Sequence, residues 1–213
     1  PIFFIFGSLY GSVESIAIAF ILAMALSMLG KKYVSTGIFY TLALMFSNYA
    51  LLLLPVILLY QIYGLVTDKS SVVKTTVTMA VCFVAFYLLS LPLCWNGVVS
   101  GNVLMVFRKM YAFFDVSYPT LSDNTFNLYA IFAAGNRSRV DNVIFNIGNW
   151  LFIIGMSAYV IYHYIKTANR LDLVLLSAMM FIAYSALGAQ SALEIMPFGL
   201  VLMLVYIIIT PDV

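Results

Sequence analysis

Seven apolar runs with almost no charge inside them, at about 13 to 29, 35 to 47, 49 to 64, 75 to 94, 145 to 165, 172 to 188 and 195 to 209, constrain this chain more than any other feature. Over 213 residues the chain is only 8% charged and has a mean hydropathy of +1.08, against roughly 25% charge in an ordinary soluble domain. A perpendicular helix needs about 20 residues to cross the hydrocarbon of a bilayer. The reading is therefore an integral, multi-pass membrane protein: all-α, a polytopic transmembrane helical bundle of about seven membrane helices. Two of them, 35 to 47 and 49 to 64, are short for full crossings. The tight break Ser47-Asn48 between them suits a helical hairpin buried within protein.

The charges orient these runs. Lys31 and Lys32 follow the first, Lys69 and Lys74 the third, Lys166 and Arg170 the fifth, so alternate connections carry six of the ten basic residues. The opposite connections, Ser47-Asn48 and Gly188 to Glu194, carry none. By the positive-inside rule the basic connections are cytoplasmic and the others face outward. A net charge of +2 does not suggest nucleic acid. Two cysteines, Cys82 and Cys94, are too few for a disulfide framework and indicate neither a metal cluster nor a redox motif. The chain reads as a single transmembrane domain over 1–213, and its start at Pro1, with no recognisable leader, predicts the C-terminal part of a longer chain.

The polar groups of interest fall on the outer side. Glu14 stands at the mouth of the first run, where an acid beside hydrocarbon is either functional, snorkelled to the interface or paired, or else complements a helix N-terminus. Asn48 breaks the hairpin, either to bind or only to satisfy backbone at a turn. Gln190 and Glu194, four apart, share a helical face ahead of Pro197 and serve either a site or a cap. The long outer-face loop at 95–144 carries an amphipathic piece, NVLMVFRKMYAFFDV, which reads as an interfacial helix or one packed on the bundle. Asp115, Asp123 and Asp141 could bind a divalent cation or act as a base, and Arg137 and Arg139 could hold a phosphate. His163 lies near the cytoplasmic end of its run and reads as interfacial filler. Asn136-Arg137-Ser138 fits the N-glycosylation pattern. No phosphate-binding glycine loop, nucleophile elbow or zinc motif is present.

One stretch goes further. SYPTLSDNTFNLYAIF, from Ser117 to Phe132, resembles the SYPYLSVNAFNLWALLG-type loop of polytopic mannosyltransferases of the GT-C glycosyltransferase superfamily, those similar to the second mannosyltransferase of glycosylphosphatidylinositol synthesis. Ser117, Tyr118, Pro119, Leu121, Ser122, Asn124, Phe126, Asn127, Leu128 and Ala130 match, and Tyr129 stands where the family usually has tryptophan. In order along the chain, the start through Leu26 is similar to the family's P-x-x-x-x-x-x-S-x-W-G-Q-x-D-S pattern, and Gly37 to Tyr60 to its G-x-x-x-x-L-A-L-x-x-K-x-Q-A-L-L-L-x-P segment. The last two runs occupy the place of its M-H-E-R-Y-L-F-P motif. The chain departs from the patterns at Ser12 and Glu14, at Ser47 and Tyr49, and around Ser191 to Leu193.

The resemblance implies a GT-C-like bundle that moves a hexose, mannose first, from a polyprenyl-phosphate carrier to a lipid-linked or surface glycan acceptor on the outer side. Glu14 is then the best carboxylate in this sequence, auxiliary to a usual first-loop acid that falls upstream of Pro1. Tyr118, Asn124 and Asn127 shape the sugar site, with Asn48, Gln190 and Glu194 beside it, and Arg137 or Arg139 holds the phosphate. The expected partners are the lipid-linked sugar donor, the glycan acceptor and membrane lipids, without nucleic acid and with no cofactor beyond a divalent cation. The patterns lean toward prokaryotic relatives, and so to the bacterial cytoplasmic membrane ahead of the endoplasmic reticulum. Two rivals stand beside this reading: a lipid or solute transporter or flippase with a midplane site, suggested by the hairpin, and a catalytically inactive scaffold relative, suggested by the departures.

Overall fold

In a computed structural model the described residues are 14–67, 71–99, 122–123, 143–167, 169–187, 191–192 and 195–210. Among them the helices are α1 (Glu14–Leu29), α2 (Tyr33–Phe46), a 3-10 segment (Asn48–Leu53), α3 (Leu54–Thr67), α4 (Ser71–Val99), α5 (Val143–Thr167), α6 (Arg170–Leu187) and α7 (Met196–Ile209). Two short strands, β1 (Ser122–Asp123) and β2 (Ser191–Ala192), pair in parallel. The fold is thus all-helical apart from one two-residue ladder, and its α-helices fall on the seven apolar runs.

The helix boundaries follow from local chemistry. Pro197 takes the second position of its helix, where a missing N–H costs nothing, while Pro55 falls where the 3-10 segment passes into α3. At the end of α1, the Lys31 N–H donates to the Met28 carbonyl at 3.2 Å and the Lys32 N–H to the Ser27 carbonyl at 2.9 Å. This is the Schellman closure, and it places Lys31 at φ 60°, the left-handed region that usually calls for glycine. At Ser47 the backbone turns extended (φ −150°, ψ 125°), its N–H still bonded to Ala43, and the 3-10 segment starts immediately after.

Three expectations change in detail. The run at 49 to 64 is not short: the 3-10 segment leads straight into α3, and Tyr49–Val66 is long and apolar enough to cross a membrane. Six residues at about 2.0 Å and fourteen at about 1.5 Å per residue give roughly 33 Å, because a 3-10 turn is stretched relative to an α-turn. The helix expected at 75 to 94 runs from Ser71 to Val99, straight through Pro92. Proline there withdraws one amide bond, and the apolar residues on either side continue the helix regardless. The loop expected from Trp95 therefore begins later, and its amphipathic piece lies outside the described residues.

In packing, α1 lies against α2, α6 against α7, and α2 against α4, while α3 touches α4, α5 and α6, and α7 reaches α1. The buried centre includes Met24, Met28, Leu53, Tyr60, Phe181 and Phe198. Small residues permit the closest crossings, as packing between apolar helices demands. A Cβ at Gly37 would lie 2.8 Å from the Thr78 methyl on α4, with the Cys82 sulfur at 3.3 Å. One at Gly199 would lie 2.9 Å from the Ala178 carbonyl on α6. The outer surface is also apolar: Val66, Ile165 and Ile208 are 75%, 73% and 74% exposed. Arg170–Leu187 is the second helix long and apolar enough to cross a membrane.

Candidate functional site

The bundle has two distinguishable ends. At one, Tyr33 at the start of α2 returns against the last turns of α3, so the two helices run antiparallel as a hairpin. The Tyr33 and Tyr60 rings stack with centroids 4.8 Å apart. Gly64 makes room for this, since a Cβ there would lie 2.7 Å from the Tyr33 Cζ. The Gln61 Nε2 donates to the Tyr33 carbonyl at 3.5 Å. On α5, Tyr164 meets Tyr63 edge-on at 5.5 Å. Arg170, which opens α6 three residues after α5 ends at Thr167, is half-buried. The connections bearing Lys31, Lys32, Lys166 and Arg170 thus meet at a single end.

This end was not singled out by sequence. Tyr60 is 0% exposed, Gln61 2% and Tyr164 3%. The Gln61 Oε1 and the Tyr60 and Tyr164 hydroxyls have no hydrogen-bond partner among the described residues. Burying an unpaired polar atom is unfavourable, so such atoms call for a partner beyond the described residues. The available signal was the recurrence of Tyr33, Tyr60, Tyr63 and Tyr164 next to the basic connections. His163, read as filler, turns instead to Tyr159, with ring centroids 5.9 Å apart, and its Nδ1 is likewise buried without a partner.

The other end lies about 27 Å away along the 18 residues of α6, at about 1.5 Å per residue. Here the structure brings together two regions that sequence had singled out. β1 lies inside the Ser117 to Phe132 stretch and β2 inside the Gly188 to Glu194 turn, with Ser122 opposite Ser191 and Asp123 opposite Ala192. β2 also packs on α6. The Ser47 break belongs to this end as well: Ser47 is buried, its Oγ without a partner among the described residues. Tyr40, midway along α2, is equally buried with its hydroxyl unpaired among the described residues.

Of the expected site residues, Glu14 is the first residue of α1 and Asn48 the first of the 3-10 segment; only their backbone positions are described. Tyr118, Asn124, Asn127, Arg137, Arg139, Gln190 and Glu194 lie outside the described residues, although Asn124 directly follows β1 and Gln190 directly precedes β2. Among the described residues no three His, Cys, Asp or Glu side chains gather as metal ligands.

Several polar groups deep in the bundle bond within their own helices, although the Tyr40 hydroxyl, beside Thr41, is buried without a partner among the described residues. The Thr41 hydroxyl donates to the Gly37 carbonyl at 2.9 Å, Thr78 to Lys74 at 2.6 Å and Ser177 to Leu173 at 2.7 Å, each within its own helix. Compared with known proteins, the chain matches no family model, no curated protein and no solved structure.

Proposed function

We propose that this chain is a multi-pass membrane glycosyltransferase that transfers a hexose from a polyprenyl-phosphate carrier to a lipid-linked or surface glycan at the end carrying the β1–β2 ladder. The observation that carries the reading is that ladder: two loops remote in sequence, both singled out for polar residues, are held in register by Ser122–Asp123 and Ser191–Ala192. The apolar outer surface and the two membrane-length helices support the membrane placement. The basic connections gathered at the opposite end support the orientation, with the ladder on the outer face and the bacterial cytoplasmic membrane as its setting.

In this reading the acceptor hydroxyl attacks the anomeric carbon as the bond from that carbon to the phosphate oxygen breaks. A carboxylate takes the hydroxyl proton and cationic groups stabilise the departing phosphate. Glu14 serves as that carboxylate or assists it, Tyr118, Asn124 and Asn127 shape the sugar site with Asn48, Gln190 and Glu194 at its margin, and Arg137 and Arg139 receive the phosphate. A midplane transport site finds less support. The deep hydroxyls of Thr41, Thr78 and Ser177 are committed to backbone carbonyls and Ser47 and Gln61, with unpaired atoms, sit toward the ends, while the Tyr40 hydroxyl is a deep polar group without a partner among the described residues.

Sugar transfer in membranes tests the proposal. Glu14→Gln and Asn124→Ala should each lower transfer by at least about tenfold, the low side of what a positioned proton-transfer or substrate group supplies. If both variants transfer sugar at the parental rate, the assignment fails.

A further inference from the structure

We infer that the basic end carries a second site, for the phosphate headgroup of an anionic lipid, built from Arg170, Tyr164, Tyr60 and Gln61. It rests on the membrane placement but makes no use of the sugar site.

Three observations converge there. The first is charge. Arg170 is half-buried with no ion pair among the described residues, and Lys31, Lys32 and Lys166 stand exposed in the connections at the same end. Asp172, two residues along α6, is the described acid nearest in sequence, and it leaves the cluster net positive. The second is unspent hydrogen bonding. The Tyr164 hydroxyl and Gln61 Oε1 are buried without partners among the described residues, and Arg170 opens α6 just after α5, the helix that carries Tyr164, ends. A phosphate oxygen beside Arg170 would accept from both the guanidinium and the Tyr164 phenol, while Gln61 Oε1 would accept from a headgroup hydroxyl or ammonium. The third is apolar surface placed for a tail. On α3 and α5, which touch, Val66 and Ile165 adjoin the tyrosines in sequence and are 75% and 73% exposed. Acyl chains against these flanks would hold the phosphate at the helix ends, where juxtamembrane basic residues attract anionic headgroups.

This arrangement separates a built site from the general positive bias of such an end. Bulk attraction needs only exposed lysines. It gives no reason for two buried polar atoms to lack partners among the described residues at the end where a half-buried arginine stands.

The test uses the whole chain in nanodiscs of phosphatidylcholine doped with phosphatidylglycerol, with retained lipid counted by native mass spectrometry. Bound phosphatidylglycerol should fall about tenfold in Arg170→Gln, as losing a charge-assisted hydrogen bond implies. It should fall about threefold in Tyr164→Phe, as losing one neutral donor implies. Lys31→Gln should change it less than about twofold, since an exposed charge contributes little. In phosphatidylcholine alone Tyr164→Phe should melt at or above the parental temperature, which separates lost binding from lost folding. An equal loss in Lys31→Gln, unchanged retention in Arg170→Gln, or complete release by inorganic phosphate would each overturn the proposal. The readout is bound lipid, so it stands or falls independently of sugar transfer.

Discussion

The two ends of this bundle handle polarity in different materials. At the basic end side chains do it: Tyr33, Tyr60, Gln61, Tyr63 and Tyr164 arrive from three helices and meet through rings and a side-chain amide. At the other end the backbone does it, through the extended Ser47, the 3-10 segment after it and the Ser122–Asp123/Ser191–Ala192 ladder. Side-chain clusters depend on packing and break when a ring is lost. Backbone devices depend on single amides and should break locally, with the bundle intact.

The largest effect should therefore come from the tyrosine end. Tyr60 is fully buried and stacked on Tyr33, so Tyr60→Ala should cost about 3 kcal/mol, the low side for truncating a buried aromatic. Tyr60→Phe keeps the ring and should cost less than about 1 kcal/mol, the worth of one hydroxyl hydrogen bond. Denaturant unfolding of the detergent-solubilised chain measures both, and a similar loss in the two would mean that the phenol, and not the ring, holds this end.

The ladder should answer on a smaller scale and with an asymmetry. In a parallel pairing alternate residues turn their N–H groups to the neighbour, so proline at one of Ser191 and Ala192 removes a ladder donor while proline at the other spares it. One variant should lose about 1 kcal/mol of local protection at Ser122–Asp123 by hydrogen exchange, and the other almost none. Equal behaviour of the two would show that the loops are held together by something other than this pairing.

The same contrast explains what sequence could and could not reveal. Seven helices were legible because apolar runs bounded by Lys31-Lys32, Ser47-Asn48 and Lys166 leave few other folds open. The ends of α4 were less so, since the residues from Trp95 onward read as loop, yet the helix runs on to Val99. At the site level, polar letters in loops drew the eye to Glu14, Asn48 and Gln190. Tyrosine escaped, because its body is apolar and it joins a greasy run without interrupting it, while its hydroxyl is as demanding when buried as any other. The convergence of Tyr33 with Tyr60, and of Tyr63 with Tyr164, depends on which helices neighbour each other, which no single run encodes.

The smallest predicted effect falls on Tyr40, where the two modes meet. Its phenol is buried midway along α2, with no partner among the described residues. An unpaired buried hydroxyl contributes nothing to hold the fold, so Tyr40→Phe should leave unfolding within about 0.5 kcal/mol of the parent, or raise stability slightly. Ser47→Ala should behave alike for the same reason. The value of the pair lies in the sign. If Tyr40→Phe instead destabilises the chain by more than about 1 kcal/mol, the phenol has a partner inside the bundle. Polarity midway along α2 would then be carried by side chains as it is around Tyr60, and the division between the two ends would have to be redrawn there.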